Sequence, residues 1–202
     1  MRSLLFLTKR DRTMDLLYQA AQAWKDLTQY TYRITYGKNK TLHTITLKFR
    51  TDEFYHLAGF QYTKDIVLPV RFSHTKTLDV ILSGKITEAD IAKSGNYPMI
   101  AERLTAITQL KAALETTFTV YQFNPKVLPF YTNITAKNLI CAQCGDVVFL
   151  FTDNNANGEA FSKSVFLKRP DHDFSKNQKA LTIFRVEREN GGTVCLYSRD
   201  AK

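Results

Sequence analysis

Between Met14 and Leu27 the apolar side chains Leu17, Ala20, Ala21, Trp24 and Leu27 recur at helical spacing, which lays one face of a helix on a core. Alternation then takes over. Tyr30, Tyr32, Ile34 and Tyr36 alternate with Thr31, Arg33 and Thr35; Gly37-Lys38-Asn39-Lys40 turns; Ile45, Leu47 and Phe49 alternate with Thr44, Thr46 and Lys48. This predicts a β-hairpin with one apolar, aromatic face and one polar face that either meets phosphates or faces water. Thr51 and Asp52 can cap a short helix containing Phe54 and Leu57, and Gly59 can end it. Residues 64–76 read as a loop or irregular strand with Pro69.

The middle of the chain is helical by pattern: one run from Leu78 to Ser83, a second opening at Thr87 and closed near Gly95, and a longer one from Pro98. The last carries Ile100, Leu104, Ile107, Leu110 and Leu114 on one stripe. Beyond Pro125 and Pro129 the period falls to two, giving strands near 138–143, 146–152, 162–168, 180–187 and 193–198. The turns between them are short, so antiparallel meander connections are expected. No repeat or flexible linker divides the sequence. The expectation is one α+β domain over 1–202, with helices packed on an antiparallel sheet: a helix and hairpin over 12–50, a helical middle over 51–120 that includes an insertion at 78–115, and the sheet over 130–200.

At 202 residues with 44% apolar and 12% aromatic content, the chain can bury a sizeable core, and disorder is excluded. No window reaches the roughly 18 apolar residues of a membrane span, and Ser3-Leu4-Leu5-Phe6-Leu7 is soon followed by Lys9 and Arg10. A soluble protein without a signal peptide is expected, and three cysteines, an odd number, suit a reducing cytoplasm. The net charge of +9 is uneven: +7 over residues 1–50, −1 over 51–120 and +3 over 121–202. Such a field attracts polyanions, nucleic acid foremost, although charge also serves simply to keep a protein soluble.

Neither GxxxxGK[ST] nor GxGxxG occurs, which argues against a nucleotide-hydrolysing motor and a dinucleotide enzyme. Cys141-Ala142-Gln143-Cys144 is a lone CxxC without a second pair, HExxH is missing, and no carboxylate cluster stands out, so no metal or other cofactor is expected. Of the histidines, His43 lies in the hairpin, His74 reads as a loop residue and His172 as an exposed turn residue. His56 stands apart. It lies in Phe54-Tyr55-His56-Leu57-Ala58-Gly59-Phe60, where aromatic neighbours would hold an imidazole partly desolvated near neutral pKa; the alternative is a helix-packing histidine.

The segment Phe54 to Phe60, followed by Lys64-Asp65-Ile66, resembles the phage-type branch of the barnase, EndoU, colicin and RelE-like nucleases. Later blocks also resemble it: Tyr131 to Lys137, Gly145 to Phe151, Ser164-Val165-Phe166 and Asp173 to Gln178. The resemblance implies a metal-independent endoribonuclease with helices ahead of an antiparallel sheet that cradles RNA. It also implies a gene carried by a phage, plasmid or other mobile element, serving as a toxin or against host defences. It suggests His56 as the polar site residue, with Ser164 and Gln178 from the later blocks.

Chemically, cleavage by a neighbouring 2′-hydroxyl needs a base, an acid and cations for the phosphorane. His56 can be base or acid; Arg71, Arg185 or Lys179 can stabilise charge; Ser164, Gln178 and Thr182 can bind phosphate. Tyr55 and Tyr62 can stack an unpaired base or pack in a core, while Arg33, Lys48, Lys64 and His74 complete a candidate RNA surface. The expected partner is RNA, with a guide RNA or its effector complex as one target. The competing reading is a non-catalytic, anti-CRISPR inhibitor that holds a nucleic-acid-dependent effector or its RNA.

Overall fold

A computed structural model describes residues 15–199; Met14, the apolar run at 3–7 and the basic residues after it lie outside the described residues. The first helix, α1 (Leu16–Leu27), buries Leu17, Ala20, Ala21, Trp24 and Leu27, the stripe expected from the spacing. Asp15 caps it by accepting from the Tyr18 amide at 2.8 Å. The hairpin follows as β1 (Thr31–Lys38) and β2 (Thr41–Lys48), paired from Thr31↔Lys48 to Lys38↔Thr41. Asn39 and Lys40, at φ 51° and 63°, form a turn of the left-handed kind that matches strand twist.

Four helices come next: α2 (Glu53–Leu57), α3 (Thr77–Leu82), α4 (Glu88–Ile91) and α5 (Tyr97–Leu114). Asp15 also accepts from the Glu88 amide at 2.9 Å while Glu88 accepts from the Leu16 amide at 2.6 Å, so the starts of α1 and α4 cap each other. Helix α5 buries Ile100, Leu104, Ile107, Leu110 and Leu114 and packs on α1 and on the sheet. The remaining strands are β3 (Phe118–Gln122), β4 (Asn138–Cys144), β5 (Asp146–Asn154), β6 (Ala160–Leu167), β7 (Lys179–Glu189) and β8 (Thr193–Ser198). Strand β3 was not expected: it directly follows α5, inside a stretch read as helix and break.

The content is α+β, as expected, but the antiparallel sheet is only partly as expected. The strands run β1-β2-β6-β5-β4-β3-β7-β8, and β1 also pairs with β7, which closes a 7-strand barrel. Strands β4, β5 and β6 form the expected meander, whereas β7 crosses to lie between β1 and β3. One edge of β7 holds β1; the other is shared by β3 at Lys179–Leu181 and by β8 at Arg185–Glu189. Closure rests on one parallel bridge, Leu47↔Ala160, after which β2 and β6 separate. Both faces of β4 and β5 are buried. Ile140, Val148 and Leu150 join the core that includes the helices, while Leu139, Phe149 and Phe151 join Phe123 and Phe174 in a second cluster. Among the described residues no helix is long and apolar enough to cross a membrane.

Candidate active site

The seam between β2 and β6 is where chemistry gathers. After β2 the chain turns through Arg50, whose carbonyl accepts the Trp24 indole N–H at 2.9 Å, and enters α2. Phe54 and Leu57 are buried on one side of α2, and Gly59, at φ 89°, ends it. The same helical spacing leaves Glu53 and His56 on a common face. They line a cleft of ≈ 520 Å³ with Arg50, Asp52, His74, Thr75, Phe161, Ser162 and Lys163.

Glu53 anchors the cleft to the sheet. Its Oε2 accepts the amide N–H of Ser162 at 3.3 Å, while its Oε1 and the Ser162 hydroxyl are both buried without a hydrogen-bond partner. Burial, reinforced by the charge of Asp52, raises the Glu53 carboxyl to about 7 against the opposing pull of the Ser162 amide and of Arg50. His56 moves the other way. Desolvation and the nearby His74 lower its pKa below the ordinary imidazole value, with Asp52 opposing. The two imidazole centroids are 4.9 Å apart at 79°, and His74 lies flat on Tyr55 at 3.9 Å and 20°. Arg50 is held by Asp52 at 3.0 and 2.5 Å, and Lys163 by Thr135 at 2.9 Å and Asp153 at 3.3 Å.

The family model described as phage-Barnase-EndoU-ColicinE5/D-RelE like nuclease4 matches residues 16–194. The chain belongs to this nuclease family. The match runs from the first residue of α1 into β8 and includes every residue of the cleft. Comparisons with curated proteins and with solved structures give no match. A nuclease acts on nucleic acid, so the class of substrate follows from the family.

The nuclease brings some of the sequence-expected residues together and disperses others. His56 and His74 share the cleft, with Tyr55 behind them. Arg71 is exposed three residues before His74 and does not line the cleft. Lys64 is exposed on its loop, and Tyr62 faces the Arg103 guanidinium at 5.5 Å. Ser164 pairs with Phe151 while Ser162 pairs with Thr152, because a bulge takes up Lys163 between them; Ser162, not Ser164, reaches the cleft. The Gln178 side chain is spent on the Asn124 backbone, accepting its N–H at 2.8 Å and donating to its carbonyl at 3.0 Å. Lys179 lies beside it, and Thr182 lines a separate groove between β3 and β8. Arg33 pairs with Glu189 at 3.0 Å, Arg185 with Glu187 at 2.7 Å, and Lys48 with Glu159. Cys141 and Cys144, three apart on β4, project to opposite faces, and among the described residues no three His, Cys, Asp or Glu side chains are grouped to hold a metal.

Sequence reasoning passed over Glu53, Arg50, Ser162 and Lys163. For Glu53 a signal existed: Glu53-x-x-His56 at the start of a short helix puts a carboxyl and an imidazole on one face. For Ser162 none did, since a bulge leaves no mark in the alternation.

Proposed function

We propose that this nuclease is an endoribonuclease that needs no metal and cuts by attack of a 2′-hydroxyl on the adjacent phosphate, with His56 as base and Glu53 as acid. The observation that carries the reading is the Glu53 carboxyl. One of its oxygens is tied to the Ser162 amide, and the other is buried without a partner at the wall of a cleft that His56 also lines. The opposed pKa shifts support these roles: near neutral pH the lowered imidazole is ready to accept a proton, while much of the carboxyl population still carries one to give.

The proton balance closes. His56 takes the proton of the 2′-hydroxyl as its oxygen bonds to phosphorus, and the bond from phosphorus to the 5′-oxygen breaks as Glu53 protonates that oxygen. Products are a 2′,3′-cyclic phosphate and a 5′-hydroxyl, with His56 charged and Glu53 ionised until solvent resets both. Arg50 and Lys163 supply positive charge at the cleft wall for the phosphorane, in place of Arg71, Arg185 and Lys179. Tyr55, already stacked on His74 and on Phe60, serves as a shelf for the imidazole, which leaves Phe161 to meet a base. A cytoplasmic, mobile-element enzyme directed at a host guide RNA is the finer form of this reading.

Labelled structured RNA incubated with the protein in EDTA tests it. Cleavage persists, upstream products end in 2′,3′-cyclic phosphate, and 2′-deoxy substitution at the cut stops the reaction. Loss in EDTA with recovery in magnesium and 3′-hydroxyl ends overturns the mechanism. Tight binding without any cutting, by wild type and His56→Ala alike, favours the inhibitor.

A further inference from the structure

Far around the barrel from α2, four lysines stand without carboxylate partners. Lys38 ends β1, Lys137 precedes β4, Lys179 begins β7, and Lys126 lies in the turn Pro125–Val127; none of them forms an ion pair among the described residues. Two shallow grooves meet there at Gln122. One, of ≈ 190 Å³, takes in Lys38 and Lys137, and the other, of ≈ 300 Å³, takes in Lys179. Neither is lined by an Asp or a Glu. By contrast Arg33, Lys48 and Arg185, the sheet cations expected to meet RNA, are each neutralised by a glutamate.

These grooves and the cleft lie on one row of the sheet. Ser162 of the cleft pairs with Thr152, Thr152 with Asn138, Asn138 with Gln122, and Gln122 with Lys179. Four strand spacings span about 19 Å of barrel rim. The row is also bridged on its outer side: Lys163 of the cleft donates to Thr135, two residues before Lys137, and the Lys137 amide donates to the Thr152 carbonyl at 2.9 Å.

We infer that this rim is a phosphate track, along which single-stranded RNA runs from the cleft, past Lys163 and Lys137, to Lys38 and Lys179. Its length suits about four nucleotides, the low end for a groove that follows a single strand. Among the described residues Lys38, Lys137 and Lys179 have no carboxylate to give up, so each phosphate that they neutralise releases condensed counterions. The inference rests on the cleft as the cutting site for RNA.

The test uses a labelled 12-nucleotide 2′-O-methyl RNA, which binds but cannot be cut, and a dinucleotide RNA, too short to reach along the track, for activity. The triple variant Lys38→Gln, Lys137→Gln, Lys179→Gln is compared with Lys85→Gln, Lys93→Gln on the helical side. In the triple variant the slope of log Kd against log salt falls by about 2, from three lost contacts at about 0.7 each. Affinity for the 12-mer drops at least tenfold in dilute salt, while dinucleotide cleavage stays within twofold. An unchanged slope, an equal loss in the control variant, or a wild type that does not bind the 12-mer overturns the track. A wild type that cuts neither the dinucleotide nor an unmodified 12-mer, with the 2′-O-methyl 12-mer slope still dependent on the three lysines, refutes the cutting site and leaves the track as a binding surface alone.

Discussion

The Glu53 side chain accepts the amide N–H of Ser162 at 3.3 Å, on the edge where β6 has parted from β2. An unpaired edge amide would otherwise lie in a half-buried cleft, which is unfavourable by roughly 1–3 kcal/mol. Helix α2 thus stands in for a strand at the seam, and the sheet fixes one oxygen of Glu53 while the other stays buried without a partner at the cleft wall.

Removing either proton carrier abolishes most cleavage. His56→Ala and Glu53→Gln are each expected to lower kcat by about two to four orders of magnitude with RNA affinity nearly unchanged. Single-turnover cleavage and filter binding on the same preparations check this. A His56 variant that melts early and binds poorly identifies a packing histidine instead.

The rate follows a bell against pH. Activity needs His56 unprotonated, hence pH above its lowered pKa, and Glu53 protonated, hence pH below about 7. The maximum lies on the mildly acidic side of neutrality, and the alkaline limb is lost in Glu53→Gln, whose residual rate no longer falls through pH 7. A rate that rises monotonically to pH 9 rules out Glu53 as the acid.

His74 tunes this bell from its place on Tyr55. Its charge lowers the pKa of His56, so His74→Ala raises that pKa and moves the acid limb to higher pH. NMR titration of the His56 ring protons, alongside the rate profile, reads the shift directly. An acid limb that does not move assigns His74 to packing or to substrate contact.

Stability should carry the mark of Glu53 as well. Its folded pKa of about 7 exceeds the unfolded value, so protonation stabilises the fold; that contribution is complete below the unfolded carboxylate pKa and is lost as pH rises through 7. The loss is on the order of 2–3 kcal/mol. Glu53→Gln does not titrate, so urea denaturation should show it gaining on wild type between pH 5 and pH 8. A constant difference across that range refutes the raised carboxyl.

Much of the fold was legible because local pattern and tertiary burial agree. The hairpin, α1, α5 and five of the later strands follow directly from period two or from helical spacing. Strand β3 was hidden because its five residues abut a helix on one side and Pro125 on the other. Barrel closure was hidden for a different reason: it depends on the pairing Leu47↔Ala160, over a hundred residues apart in sequence, and no local pattern encodes it. At the site, His56 was visible through its aromatic neighbours. The role of Ser162 was invisible because the bulge at Lys163 shifts the alternation by one, and the resemblance pointed to Ser164 instead. Gln178 shows the opposite trap, a polar residue in a family block whose amide holds a loop together.

The single bridge at Leu47↔Ala160 also sets where the barrel breathes. Every other junction is a ladder of at least three paired positions, so separating β2 from β6 disturbs fewer backbone hydrogen bonds than parting any other neighbours. Amide protons on the facing edges of these two strands should therefore exchange with solvent through sub-global opening, ahead of those in β4 and β5, which report global unfolding. Because α2 fills that same gap, the proposed catalytic groups ride on the weakest joint of the barrel, and a bound substrate spanning it would slow the exchange by acting as a staple.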